Sequence, residues 1–355
     1  MHLFPTDLDK IDFLLETEAE MLDWQGRFHT TGETADSTIP HTDGADKQDA
    51  QDTTTTDQET GKPVSQDRPK YVTNYIGSKQ KLIEWIWENT PKEKKSVFDA
   101  FNGSVVVAYM YKSKGLEVSS NDRLHFCYHT ARAIVENSST TITDEEIESL
   151  LANNKSADTF VQDNFKGIFY AEGVHAIIDS LRANCDKLDG YKKDIALFAL
   201  GKTCLSGKGG FGHFTASTDS GKRDTPEEFK ARFRSTVAKT NALVFDSGKK
   251  CQSYNGDINE VLQQVKADLA YFDPPYATEY STTNYEKAYH FIEGLMTYWK
   301  GLTLKQDSKV KHYETDHITV TKNNVESFFK IFRYYSGTQS AFSAHPEIGR
   351  RVRLQ

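Results

Sequence analysis

Apolar positions fall into two rhythms from about residue 80 onward, and their alternation predicts the architecture. "QKLIEWIWENT" (80–90) reads as a helix, "SVFDAF" (96–101) as a strand, "SVVVAYMYKSKG" (104–115) as a helix by length and position, and "LEVSSND" (116–122) as a second strand. Residues 123–137 and 143–152 are helical by pattern, as is "GYKKDIALFALGKTCLS" (190–206), which runs into a glycine-rich loop and a polar, charged stretch to about residue 250. Strand character returns at "CQSYNGD" (251–257), followed by the helix "INEVLQQVK" and the strand "ADLAYFD" (267–273). Strands separated by single helices predict parallel pairing in an α/β sheet. The stretch 140–250 lies between two parts of that sheet and is expected to be an inserted subdomain.

The two ends break this rhythm. Residues 6–26 place Leu8, Ile11, Leu14, Leu15 and Leu22 at helical spacing behind Thr6 as N-cap, which predicts one amphipathic helix within 1–28. From 29 to 69 the composition is Thr, Asp, Gln, Gly and Ser with almost no large apolar side chains, too little to offset chain entropy, so a disordered acidic linker is expected. The body is then 70–139 together with 251–355. Its last part, 323–355, shows a helix and no recognisable strand after it. No internal repeat is visible.

Charge follows the same division. The formal net charge of −8 argues at first against a nucleic-acid partner, but residues 1–69 hold 16 acids and 5 bases, which leaves 38 bases and 35 acids, a net of +3, for the rest. Phosphate contact depends on local patches, so a weakly basic body with an acidic appendage permits DNA binding. The sequence has no run of eighteen apolar residues and no secretory layout at "MHLFPTDLDK", so a cytoplasmic protein without membrane contact is expected. Cys127, Cys185, Cys204 and Cys251 form no C-x-x-C pair and read as buried, reduced thiols.

Chemistry concentrates at strand ends. "DAFNGS", from Asp99 to Ser104, ends a strand and opens a helix, where a glycine allows close backbone approach and the helix N-terminus offers N–H groups. Asp122 follows Gly103 by nineteen residues at the end of the next strand, the spacing at which nucleotide-type folds place an acid for ribose hydroxyls. "GKGGFG" (207–212) matches G-x-G-x-x-G in letters but follows a helix, so it reads as a flexible loop whose Lys208 and Phe211, with His213 beside them, could touch nucleic acid. "DPPY" is Asp273, Pro274, Pro275 and Tyr276, at the C-terminal end of a strand. Proline restricts the residue before it, so Asp273 and the Pro274 carbonyl are two fixed acceptors suited to an exocyclic –NH2, and Tyr276 offers a ring on which an extruded base can stack.

In order, "YIGSKQKL" (75–82), "DAFNGS", "SND" (120–122), a variable insertion, "NGD" (255–257), "DPPY" and "YSTTNYEKAYHFIE" (280–293) resemble the Dam-like, adenine-specific DNA methyltransferases over residues 71–295. The resemblance implies a Rossmann-like, S-adenosylmethionine-dependent methyltransferase sheet with an inserted target-recognition subdomain and a disordered N-terminal extension. It implies that Tyr75 and Lys79 contact the cofactor, with Lys79 near its carboxylate. By the same resemblance Asp99, Phe101 and Gly103 line the cofactor loop, Asp122 takes the ribose hydroxyls, Asp257 borders the adenine, and Asp273 and Tyr276 act on the target base. Methylation of cytosine N4 is the rival within this chemistry, though that family more often has serine in place of Asp273; an inert DNA-binding homologue is the rival outside it. The implied partner is double-stranded DNA, with a cognate restriction endonuclease in the system, the chain a monomer, and no metal or covalent enzyme intermediate needed. Two departures stand out: Val105 occupies the place of a second glycine, implying a narrower or differently packed pocket, and the closing strand of the family is missing after residue 323.

Overall fold

Strand β1 (Ser96–Asp99) sends Val97 into one apolar cluster and the next residue, Phe98, into another, so both faces of the sheet are covered. A strand buried on both faces cannot alternate apolar with polar, which is why β4 (Leu269–Phe272) reads as an unbroken apolar run, "LAYF". Leu269 and Tyr271 join the larger cluster, and Ala270 and Phe272 the smaller. The structure is a computed structural model that describes residues 71, 73, 75–207, 213–215, 224–274, 285–313 and 340–343. The helices expected over 6–26 and after 323, and the linker 29–69, lie outside those residues.

Among the described residues five parallel strands form one sheet in the order β3-β2-β1-β4-β5, with β2 at Glu117–Asn121, β3 at Gln252–Tyr254 and β5 at Ser340–Ser343. Asp99 is the register partner of both Ser120 and Tyr271, so the sheet's C-terminal ends are level. The last strand corrects the expectation of a missing closing strand: "SAFS" pairs with β4 from Leu269↔Ser340 to Phe272↔Ser343. Four residues with two serines carry too weak an apolar signal to mark a strand; the paired edge of β4 supplies what the local pattern lacks.

Helix α1 (Ile83–Glu88) follows a 3₁₀ turn at Lys79–Leu82 capped by Ser78. Helix α2 (Val106–Ser113) crosses from β1 to β2, and α3 (His125–Ala131) leaves β2 and continues as a π-helical turn, Arg132–Glu136. Both belong to the larger cluster, whereas α9 (Ile258–Val261), between β3 and β4, covers the opposite face through Ile258 and Val261. The segment 140–250 supplies α4 (Asp144–Leu151), α5 (Phe160–Asn164), α6 (Val174–Cys185), α7 (Gly190–Leu205) and α8 (Pro226–Leu243). These helices share the larger cluster with α3 and with α10 (Tyr285–Thr297). Arg182 of α6 is buried and donates to the Leu295 and Met296 carbonyls of α10 at 2.7 and 2.9 Å, satisfying helix-end acceptors that the core hides from water.

Helices α5, α6, α8 and α10 are absent from the expected elements. For α8 the signal was local: Thr225-Pro226-Glu227-Glu228 is a capping box with proline at the first turn, and both reciprocal bonds form. All four cysteines are free thiols and buried. No helix among the described residues is long and apolar enough to cross a membrane.

Candidate active site

The C-terminal edge of the sheet is where the motifs meet, because the ladder continues past the strand ends. Ala100 N donates to Tyr271 O (3.0 Å), Asn102 N to Asn121 O (2.8 Å), and Asp122 N to Tyr254 O (3.3 Å), which draws the segments after β1, β2, β3 and β4 to one edge. A cavity of about 330 Å³ opens there, lined by Tyr75, Lys79, Asp99, Phe101, Gly103, Asp122, Asp257, Asp273 and Pro274. Every candidate cofactor residue thus reaches one site, with the acid and first proline of the DPPY tetrapeptide. Pro275, Tyr276, Lys208 and Phe211 lie outside the described residues. His213 is described but does not line the cavity, and its Nδ1 contacts the Thr215 hydroxyl at 2.8 Å.

Each wall has a local cause. Gly103 adopts φ +43° and its N–H donates to Asp122 Oδ2 at 2.8 Å, while Asp122 Oδ1 accepts from Leu124 N at 2.9 Å. One carboxylate therefore joins the glycine loop to the end of β2. Burial still dominates its titration and raises the Asp122 pKa to about 6. Asn255 Nδ2 donates to the carbonyls of Asp122 and Arg123, both at 2.9 Å, docking the "NGD" turn on the same corner. Asp257 caps α9 through Asn259 N at 2.9 Å and also faces the cavity.

On the other wall Tyr75 stacks on Tyr289, with ring centroids 4.6 Å apart, and on Tyr285 at 5.9 Å. The Tyr289 hydroxyl accepts from Ile76 N at 2.7 Å. Gly77 sits at φ +73° beneath the Tyr285 hydroxyl, which an added Cβ would approach to 2.6 Å, so only glycine lets the "YIG" segment pass. Lys79 Nζ pairs with Asp273 Oδ2 at 2.6 Å, with both side chains about nine-tenths buried. The resemblance assigns Lys79 to the cofactor's carboxylate; here its ammonium touches the Asp273 carboxylate.

Val105 has φ +68° and is fully buried, so a β-branched residue holds the left-handed conformation that glycine adopts freely. Holding that conformation costs a strain of about 1–2 kcal/mol. Val105→Gly relieves that strain and forfeits burial of similar size. Thermal melting should therefore place this variant within about 1 kcal/mol of the parent, against the larger loss usual for a buried valine.

The floor combines Asp99, which the resemblance places in the cofactor loop, with two side chains the sequence reading did not single out, Asn102 and Asn121. Asp99 is 1% exposed, and its carboxylate makes no well-formed hydrogen bond, with only the Phe101 and Ala108 N–H groups close enough to lower its pKa slightly. Burial first, then the Asp273 and Asp122 carboxylates, hold its pKa well above the usual carboxylate range. Both amide atoms of buried Asn102 and the Oδ1 of buried Asn121 are unpartnered, and both residues line the cavity. Leaving such groups unpaired is costly, so a ligand with both donors and acceptors is what this floor fits. A methyl donor with an amino-acid end and a nucleoside end matches that donor set.

A sequence model of the D12 class N6 adenine-specific DNA methyltransferases matches residues 75–340. The chain belongs to this family. It is 30% identical over 246 residues to the type II methyltransferase M2.HphI of Haemophilus parahaemolyticus, covering 64% of this chain and 72% of that one. It is 26% identical over 267 residues to the modification methylase StsI of Streptococcus sanguinis, covering 70% of this chain and 40% of that longer protein. The type II methyltransferase M.NlaIII of Neisseria lactamica is 22% identical over 274 residues, covering 73% of this chain and 79% of that one. The match reaches residue 340, where β5 begins, so the family pattern ends at the strand that closes the sheet. The Rossmann-like fold expected for this methyltransferase is the one observed, and its main function is that of an adenine-specific DNA methyltransferase.

Proposed function

We propose that this methyltransferase uses S-adenosylmethionine to methylate N6 of adenine at a specific site in double-stranded DNA. We further assign it to a restriction-modification or mobile-element setting, as a monomer in the cytoplasm, with residues 140–250 forming the target-recognition subdomain and a cognate endonuclease as its system partner. The observation that carries the reading is the single cavity that joins Asp273 and Pro274 to a floor of unpartnered polar side chains. The relatives, type II methyltransferases and a modification methylase, support the setting.

Within this reading the chain's own residues bind, orient and accept protons. Asp99, Asn102 and Asn121 take the amino-acid end of the cofactor, Tyr75 and Phe101 flank it, Asp122 uses its remaining lone pairs for the ribose hydroxyls, and Asp257 borders the base. When bound, the cofactor supplies a methyl group already activated on sulfur. Asp273 and the Pro274 carbonyl accept hydrogen bonds from the two N–H groups of the target amino group. That draws the nitrogen away from conjugation with its ring and frees its lone pair for attack, and the one proton in excess leaves after the methyl has moved from sulfur to nitrogen. Tyr276 stacks the extruded adenine, and Lys79 fixes the Asp273 carboxylate on the side away from the base. Positioning supplies much of the acceleration.

The test is transfer of labelled methyl from S-adenosylmethionine to unmethylated genomic DNA, followed by digestion to nucleosides. N6-methyladenine is the expected product. N4-methylcytosine would overturn the adenine assignment, and no product from a chain that binds the cofactor would overturn the activity.

A further inference from the structure

Helix α3 begins without a cap of its own. Its N-cap is Leu124, whose side chain cannot accept a hydrogen bond, so the first N–H groups of the helix need an acceptor from elsewhere. Glu293 of α10 supplies it from 168 residues away. Its Oε1 accepts from His125 N at 2.8 Å and meets His125 Nδ1 at 2.5 Å, and its Oε2 accepts from Phe126 N at 3.2 Å. The Glu293 side chain is buried, and these three contacts replace the water its carboxylate has lost. The His125 ring is partly exposed, and its bond to Glu293 raises its pKa.

The turn that leads into α3 is held in the same way. Asp122 Oδ1 accepts from Leu124 N at 2.9 Å, and Asp122 Oδ2 from Gly103 N at 2.8 Å. The successive N–H groups of Leu124, His125 and Phe126 are thus divided between two carboxylates, one to Asp122 and two to Glu293. The division matters because Asp122, Arg123 and Leu124 are wall of the cavity, which Glu293 does not line. The two carboxylates also sense each other: after burial, the Glu293 charge raises the Asp122 pKa. The opposite wall is braced from the same helix. Tyr289, one turn before Glu293, stacks on Tyr75 and accepts from Ile76 N. Residues four apart share a helix face, so one face of α10 supports both walls.

We propose that Glu293 is a positioning residue for cofactor binding: by taking the His125 and Phe126 N–H groups at the start of α3, it leaves the Asp122 carboxylate free for the ribose hydroxyls. The proposal rests on the S-adenosylmethionine reading above and adds to it the group that holds the ribose acid in place. A carboxylate has about four lone-pair sites, and Leu124 N and Gly103 N occupy two of those on Asp122. Without Glu293, the N–H groups of His125 and Phe126 compete with the ribose hydroxyls for the remainder. That penalty falls on cofactor binding and leaves the acceptors for the target amino group, Asp273 and the Pro274 carbonyl, in place.

The experiment titrates S-adenosylmethionine into the full chain by calorimetry and measures steady-state methyl transfer to unmethylated DNA, comparing Glu293→Ala, Glu293→Gln and His125→Ala. Glu293→Ala should weaken cofactor binding about tenfold or more and raise the cofactor KM to match, while kcat at saturating cofactor and the KM for DNA stay within about twofold of the parent. Glu293→Gln, which keeps one acceptor oxygen, should lose about threefold. His125→Ala removes the ring and keeps both backbone bonds, so it should bind the cofactor within about twofold of the parent. A role confined to stability predicts a lower melting temperature and lower kcat at an unchanged cofactor Kd, and that result in Glu293→Gln would overturn the positioning role even if Glu293→Ala fails to fold. His125→Ala weakening the cofactor as much as the Glu293 variants would overturn it too, by placing the effect in the ring contact. An unaltered chain that binds no S-adenosylmethionine would overturn the cofactor reading together with it.

Discussion

Asp273→Ala should lower methyl transfer by about three orders of magnitude or more, because it removes an acceptor placed where positive charge develops on the attacking nitrogen. The same change removes the carboxylate 2.6 Å from Lys79 Nζ, leaving a side chain about nine-tenths buried that also donates to the Gly77 carbonyl at 3.4 Å. Losing that carboxylate should cost roughly 3 kcal/mol of stability, so lost activity alone would be ambiguous. Asp273→Ala/Lys79→Met separates the two effects: melting should recover toward the parent, and transfer should not. Activity rising with stability in the double variant would show that Asp273 is structural and carries no catalytic role.

Asp99→Asn should do the opposite, stabilising the ligand-free protein while weakening cofactor binding tenfold or more. Asp99 is buried without a well-formed hydrogen bond, and burial and two neighbouring carboxylates hold its pKa well above the usual range against weak backbone bonds from Phe101 and Ala108. The sign follows from proton counting. Between the unfolded carboxyl value and the raised folded value the native state holds a proton that the unfolded state has released, so stability falls as pH rises through that window and stays low above it. Asp122, at about 6, acts in the same direction over its own window. The advantage of asparagine over aspartate should therefore be absent near pH 3.5, grow as pH rises, and reach about 1–3 kcal/mol near pH 8. Thermal melts across that range, paired with cofactor titration, check it. Destabilisation at both ends of the range would mean that Asp99 bonds within the fold and is not held for a ligand.

Much of the catalytic layer is legible in the sequence because it obeys local rules. The buried runs at 96–99 and 269–272, the glycine that ends β1 and the proline pair that ends β4 each dictate backbone within a few residues. Chain order then brings Asp99, Asp122 and Asp273 to strand ends, and parallel pairing puts strand ends on one edge. The sequence by itself thus determined the sheet, the edge used and most of the residues gathered there. Other features depend on partners distant in sequence, and only the tertiary structure decided them. β5 exists because β4 offers an unpaired edge. Lys79 meets Asp273 across nearly two hundred residues. The Asn102 amide and the Asn121 Oδ1 become ligand-seeking only once the segments around them exclude water without offering those atoms a hydrogen bond. Burial and long-range pairing are properties of the packed chain, and no window of sequence contains them.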